Sequence, residues 1–219
     1  MENTKQHLES LSEIKNLMER STKFLSLSGM SGIIAGITAL AGAFLAYQRI
    51  HHYLDTSSLD YTRIVNKEVM NKLLLELVGI GIMVLVISIV VGIYLTIRES
   101  KKNNQSIWDK TSKLLLTNLM IPLVTGGLFC LILIFHNHFA LVGSATLIFY
   151  GLALVNCSKY TLNGIKYLGL SEIALGLLSA LFIGNGIFFW AIGFGILHIV
   201  YGSLMHLKYN RKAPVSNLQ

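Results

Sequence analysis

Four histidines stand in two pairs beside long apolar runs. His51 and His52 follow the first run, and His136 and His138, in the stretch IFHNHF, separate the third run from the fourth. Paired imidazoles can ligate a metal ion or a haem iron, or they can be the polar turn between two hydrophobic helices. Ligation of a metal needs three or four converging side chains held in orientation by further partners, and HH plus HNH on separate segments lacks the spacing of an HExxH or CxxC site. The turn is therefore the expectation, with no metal and no cofactor. A bis-histidine haem, with His51 or His52 facing His136, is the alternative.

Three other ionisable side chains fall inside apolar runs, Glu76, Glu172 and His198. Charge is expensive to hold in hydrocarbon and usually marks function there. Glu76 lies close enough to the end of its run to reach an interface. Glu172 and His198 are different, because the runs that carry them are joined at Gly184-Asn185-Gly186. Counted from that turn, they lie at nearly equal depth on two antiparallel helices. They are expected to form one coupled polar site, with Tyr201 beside it. The third run adds Pro122, which removes a helix donor and clashes with the preceding turn, and Thr125. Interrupted helices of this kind line binding sites in many transporters, so both residues are candidate lining of a pathway.

Gly29-Met30-Ser31-Gly32 reads GxSG, the pattern around the nucleophile of rhomboid-type intramembrane serine proteases, with His198 at a similar depth. That family carries the pattern on the fourth span of its core, whereas here it lies on the first, and no oxyanion donor is in view. No P-loop, dinucleotide fingerprint or kinase-like pattern occurs either. No catalytic residues are assigned, and the expectation is a protein that is not an enzyme.

The elements that must position these residues are long apolar helices. Of 219 residues, 53% are hydrophobic and 13% charged, against roughly 25% charged in ordinary soluble domains. Runs at Phe24 to Gln48, Leu73 to Ile97, Leu114 to Phe135 and Phe139 to Ser158 are each long enough to cross a bilayer as helices. The stretch from Ile173 to Leu207 would overshoot one and must fold back at the Gly-Asn-Gly turn, giving a fifth span near Tyr167 to Ile183 and a sixth after it. The expected fold is all-α, a polytopic membrane protein with a six-transmembrane-helix bundle. Residues 1–23 form a cytoplasmic amphipathic helix, with Leu8, Leu11, Ile14, Leu17 and Met18 on one face. Residues 24–207 form a single transmembrane domain and 208–219 a short cytoplasmic tail.

Lys and Arg set the orientation. With the N-terminus inside, 14 of the 18 basic residues fall on inner segments and only Arg49, Arg63, Lys67 and Lys72 on outer ones. The expected location is the cell membrane, multi-pass, with both termini cytoplasmic. The same distribution accounts for the net charge of +7 without a nucleic-acid partner. Ser57 and Asp60 have capping-box spacing, which predicts that the second-span helix starts near Ser58. Cys130 and Cys157 lie near opposite ends of their spans, too far apart for a disulfide.

Ser28, Gly32 and Gly36 recur every four residues and predict a helix face in backbone contact with a neighbour. A repeat is also visible. GLSEIALGL (169–177) resembles GMSGIIAGI (29–37), and ALVGSATLIFYG (140–151) resembles AIGFGILHIVYG (191–202), which suggests construction from three helical hairpins. The functional expectation is a small solute or ion pathway, or an integral subunit of one. The alternatives are a membrane scaffold or accessory subunit, docking a partner through the N-terminal helix and first span, and a haem- or metal-binding membrane protein. Lipid is the expected environment, with a homo-oligomer or protein partner allowed.

Overall fold

The computed structural model describes residues 29–58, 67–102, 108–161 and 164–210. The amphipathic segment 1–23, Ser28 and the chain after residue 210 lie outside the described residues. Among these residues the protein is all helix: α1 (Gly29–Ser58), α2 (Lys67–Lys102), α3 (Lys110–Phe135), α4 (Val142–Cys157), α5 (Gly164–Leu181), then α6 (Gly186–Trp190), which passes through a π-helical stretch (Ala191–Leu197) into α7 (His198–Asn210). Six helical segments are long and apolar enough to cross a membrane, the sixth running unbroken from Gly186 to Lys208. They are consistent with an integral membrane protein.

The helices are apolar on every side, so no amphipathic stripe dictates which neighbour each one takes. Small residues decide it. A methyl group added at Gly29 would lie 2.5 Å from the Gly202 carbonyl oxygen, and one at Gly36 would lie 2.6 Å from that of Gly195. Gly32 comes within 3.2 Å of the Gly202 Cα by the same measure. The face that carries Gly32 and Gly36 is thus pressed against the sixth span at backbone distance. The seam between α4 and α5 is built alike, with Gly151 and Gly169 each meeting the other's carbonyl oxygen and Gly176 meeting Ile148 and Ser144.

The bundle is arranged around these two seams. α1 lies between α2 and the sixth span, α4 lies between α3 and α5, and the sixth span joins the two groups. α2 packs chiefly on α1, where Val84 sits against Gly42. Beyond the apolar region, Tyr53 donates a hydrogen bond to Glu76 (3.0 Å), and Arg49 stands 3.9 Å from the same carboxylate. Glu76 is a tie between α1 and α2.

The expected start of the second-span helix needs correction. Ser57 and Ser58 are the last residues of α1, and α2 is described from Lys67; residues 59–66 lie outside the described set. No glycine or proline interrupts residues 43–58, and the helix that began in the apolar run simply continues. The turns fall where glycine, asparagine and histidine put them. At the end of α3, Asn137 takes φ 63°, the His138 N–H donates to the Leu133 carbonyl (2.8 Å), and the Asn137 N–H donates to that of Ile134 (3.0 Å). This is a Schellman cap. Gly184, φ 103°, turns the chain between the fifth and sixth spans. Both cysteines are free and buried.

Candidate functional site

Where α4, α5 and the sixth span meet, three polar side chains are enclosed. Glu172 on α5 is fully buried and His198 at the start of α7 is 7% exposed. The His198 Nδ1 lies 3.0 Å from the Gly193 carbonyl oxygen, and its Nε2 lies 2.8 Å from the Tyr150 hydroxyl. A carbonyl only accepts, so Nδ1 carries a proton; when the ring is neutral, Nε2 accepts from the Tyr150 O–H. Both His198 nitrogens are thus engaged. The Glu172 Oε1 stands 3.5 Å from the same Nδ1, and among the described residues neither carboxyl oxygen has a hydrogen-bond partner.

Each element contributes something the sequence makes specific. The π-helical stretch ends at His198, and π-bulges recur at functional positions because they disturb the regular backbone ladder. Here the Gly193 carbonyl receives the imidazole N–H. Gly193 also makes room: a methyl there would lie 2.5 Å from the Glu172 Oε2 and 2.5 Å from Leu147 Cδ2. Phe194 closes one side, its ring 5.0 Å from that of Tyr150. Toward the turn, Ser144 donates to Ser179 across α4 and α5 at 2.9 Å, both buried.

The expected lining residues do not all come together. Glu172 and His198 meet, and Tyr201 follows one turn after His198, against Gly164 and the cluster of Leu154, Ile165 and Leu168. Thr125 does not belong to the site: it is exposed on α3, and its hydroxyl donates to the Ile121 carbonyl (2.9 Å), the usual recourse of a threonine on an outward helix face. Pro122 does not belong to it either, and α3 runs through it without a break. Its missing N–H frees the Asn118 carbonyl, which accepts from the Asn156 side-chain amide of α4 at 2.8 Å. The proline is thus compensated by a helix-to-helix hydrogen bond.

Tyr150, Gly193 and Asn156 were not singled out from sequence. The repeat pairs Tyr150 with Tyr201, which was the available signal for the first. Both His198 nitrogens are engaged by Tyr150 and Gly193 rather than by Ser31 of the GxSG stretch. His136 and His138 belong to an exposed turn, and His51 packs its ring on Tyr47 at 4.7 Å. Among the described residues, no three His, Cys, Asp or Glu side chains are gathered as a metal site.

The fold and centre define a six-helix apolar bundle enclosing an acid, an imidazole and a phenol, an arrangement consistent with an integral membrane protein. No family model, curated protein or solved structure matches the chain.

Proposed function

We propose that the protein is a multi-pass protein of the cell membrane, with both termini cytoplasmic, and that its bundle carries a proton-linked pathway for a small solute or ion. Glu172 is the proton-exchanging group and His198, polarised by Tyr150, is its partner. The observation that carries this reading is the Glu172 carboxyl, buried without a hydrogen bond 3.5 Å from an imidazole. A buried carboxyl held only for structure would be expected to have its oxygens satisfied. Adding a proton to Nε2 reverses the Tyr150 contact, so that tyrosine accepts, and leaves an imidazolium beside the carboxylate. The centre can therefore change its proton content without rebuilding the helices. The chemistry is exchange rather than bond cleavage, so we read the protein as non-enzymatic.

Two further features support a pathway. Ionisable groups in apolar spans mark ion and proton routes, and the sites of many transporters lie where internal repeats meet, as the sequence echoes between the α1 and α5 and the α4 and sixth-span stretches would place this one. The Glu172 centre lies between the two glycine seams. The scaffold alternative is disfavoured in one respect: the small-residue face of α1 is already occupied by the sixth span.

The test is proton movement in phosphatidylcholine vesicles carrying an internal pH dye and an imposed pH gradient. Wild-type protein should dissipate the gradient faster than empty vesicles, with Glu172→Gln slower by at least about tenfold, the effect of about 1.4 kcal/mol on a barrier. Tyr150→Phe should shift the pH at which the rate is half-maximal. Equal rates for wild type and Glu172→Gln, with both folded, would reject the pathway.

A further inference from the structure

Both glycine seams are made by one short pattern. On the sixth span it is Ile199-x-x-Gly202 and on α4 Ile148-x-x-Gly151; on the facing helices it is Ile33-x-x-Gly36 in α1 and Ile173-x-x-Gly176 in α5. The fit is reciprocal, each isoleucine lying over the other helix's glycine. A methyl at Gly36 would lie 2.7 Å from Ile199 Cγ1, and one at Gly202 would lie 3.0 Å from Ile33 Cγ1. In the second seam the matching distances are 2.6 Å, from Gly176 to Ile148 Cγ1, and 2.7 Å, from Gly151 to Ile173 Cγ1.

Each seam joins the first helix of one hairpin to the second helix of another, which leaves α2 and α3 over. Both carry the pattern. Ile89-x-x-Gly92 falls in register with the other two when GIMVLVISIVVG (81–92) is laid on residues 140–151 and 191–202, and α3 has Val124-x-x-Gly127. Within the chain neither is used: Ile89 is 50% exposed and Val124 is exposed too, and among the described residues nothing lies within 4 Å of a methyl at Gly92 or Gly127. Nor is α2 free to cross to α3 of its own chain, because Val84 at Gly42 and the Tyr53 to Glu76 hydrogen bond hold it on α1. Met120 stands where α1 and α5 have Gly29 and Gly169, so a third seam would be looser at that end.

We propose that this surface is completed by a second copy of the chain. Ile89 and Gly92 on α2 of one copy seat on Gly127 and Val124 on α3 of the other, with the reverse contact across a two-fold axis. One chain carries both halves, as a two-fold interface requires. Lipid supplies no hydrophobic force between spans, and close packing at small residues takes its place. The inference rests on the membrane location proposed above and is independent of proton exchange.

The experiment co-expresses two differently tagged chains, Ile89→Cys and Gly127→Cys, and oxidises the membranes with copper phenanthroline. Neither chain holds both new thiols, so a disulfide carrying both tags forms only between copies. Helices in backbone contact bring facing Cα atoms within the roughly 4.4–6.8 Å that a disulfide needs. The mixed product should form, and it should be lost when Ile87→Cys, about 200° round the helix from Ile89, replaces Ile89→Cys. Subunit counting in phosphatidylcholine vesicles at rising lipid dilution should show a dimer. Gly92→Leu and Gly127→Leu should each weaken it at least about fivefold, the low end of the cost of overpacking; if one does not fold, the other decides. Monomers at every dilution without mixed product would leave the face to lipid and overturn the proposal. So would a dimer indifferent to both leucine variants, or a disulfide closing within one chain when both cysteines are placed on it. Protein stripped from the membranes by alkaline carbonate would instead refute the membrane location.

Discussion

Gly193→Ala adds one methyl group between two buried side chains and tests whether the Glu172 centre is as tightly built as its geometry indicates. The new carbon would stand 2.5 Å from both the Glu172 Oε2 and Leu147 Cδ2, where ordinary contact begins at 3.4 Å. About 0.9 Å must be found on each side. Neither neighbour has solvent to retreat into, since Glu172 and Leu147 are both 0% exposed. Overpacking of this kind costs about 1–3 kcal/mol. At roughly 2–4 °C per kcal/mol for a chain of this size, Tm should fall by about 2–12 °C. Moving the carboxyl would also change its 3.5 Å separation from His198, so proton exchange should slow as well. Gly92→Ala and Gly127→Ala are the controls, because nothing lies within 4 Å of a methyl at either position. They should be neutral or gain up to about 1 kcal/mol of helix propensity. Unfolding can be followed by tryptophan fluorescence in detergent, with the Trp190 ring tilted against that of Phe194 at 5.0 Å near the centre. A Gly193→Ala protein as stable as the two controls would refute the proposed tightness.

Asn156→Leu should cost about 1–3 kcal/mol by leaving the Asn118 carbonyl unsatisfied, while Pro122→Ala restores the missing N–H and should relieve most of that cost in the double variant. A cycle showing no coupling between the two positions would dismiss the compensation. The Ser112 hydroxyl, followed by its backbone N–H, holds the Asp109 carboxyl below its ordinary pKa, so the cap stabilises the protein above the usual carboxylate range, and that contribution is lost as pH falls through the lowered value. Asp109→Ala should therefore destabilise the protein at pH 7 by the low end of the about 0.5–2 kcal/mol of an N-cap, with wild type and variant converging in acid; a gap independent of pH would contradict it. Under the proposed orientation, a cysteine at Lys101 should resist an impermeant thiol reagent applied from outside, and one at Glu68 should react.

Much of the fold was legible because its signals are local. A run of twenty apolar residues, Asn137 between two histidines, and Gly-Asn-Gly each act within a few residues, so the six apolar helices and their turns could be placed. The equal depth of Glu172 and His198 was legible for a related reason, since both counts start from one turn. Rotation about each helix axis was not legible. It separates Thr125, which faces outward, from Gly126 beside it, which touches Phe149. The same ambiguity hid Tyr150, because a tyrosine inside an apolar run reads as a packing aromatic until a neighbour supplies its acceptor. Pro122 shows a different limit: the sequence announces a carbonyl without its donor, yet the replacement, Asn156, is 38 residues away.

The two seams explain why a carboxyl can occupy this place. In the aligned stretches Gly32 corresponds to Glu172, Leu147 to His198 and Tyr150 to Tyr201. The seam between α1 and the sixth span leaves no room at the first of these positions, where a methyl on Gly32 would already meet the Gly202 Cα at 3.2 Å. A glutamate at the corresponding position of the seam between α4 and α5 fits only if its side chain leaves the seam. It does so by crossing to the sixth span, where Gly193 supplies the space and His198 the facing polar group. Both glycine and histidine depart from their counterparts, Val142 and Leu147, which are apolar. Glu172, Gly193 and His198 thus all differ from the residues they align with. Packing alone would have been served by the smaller or apolar residues of the aligned stretches, so the place of the Glu172 side chain is set by Gly193 and His198 on the sixth span.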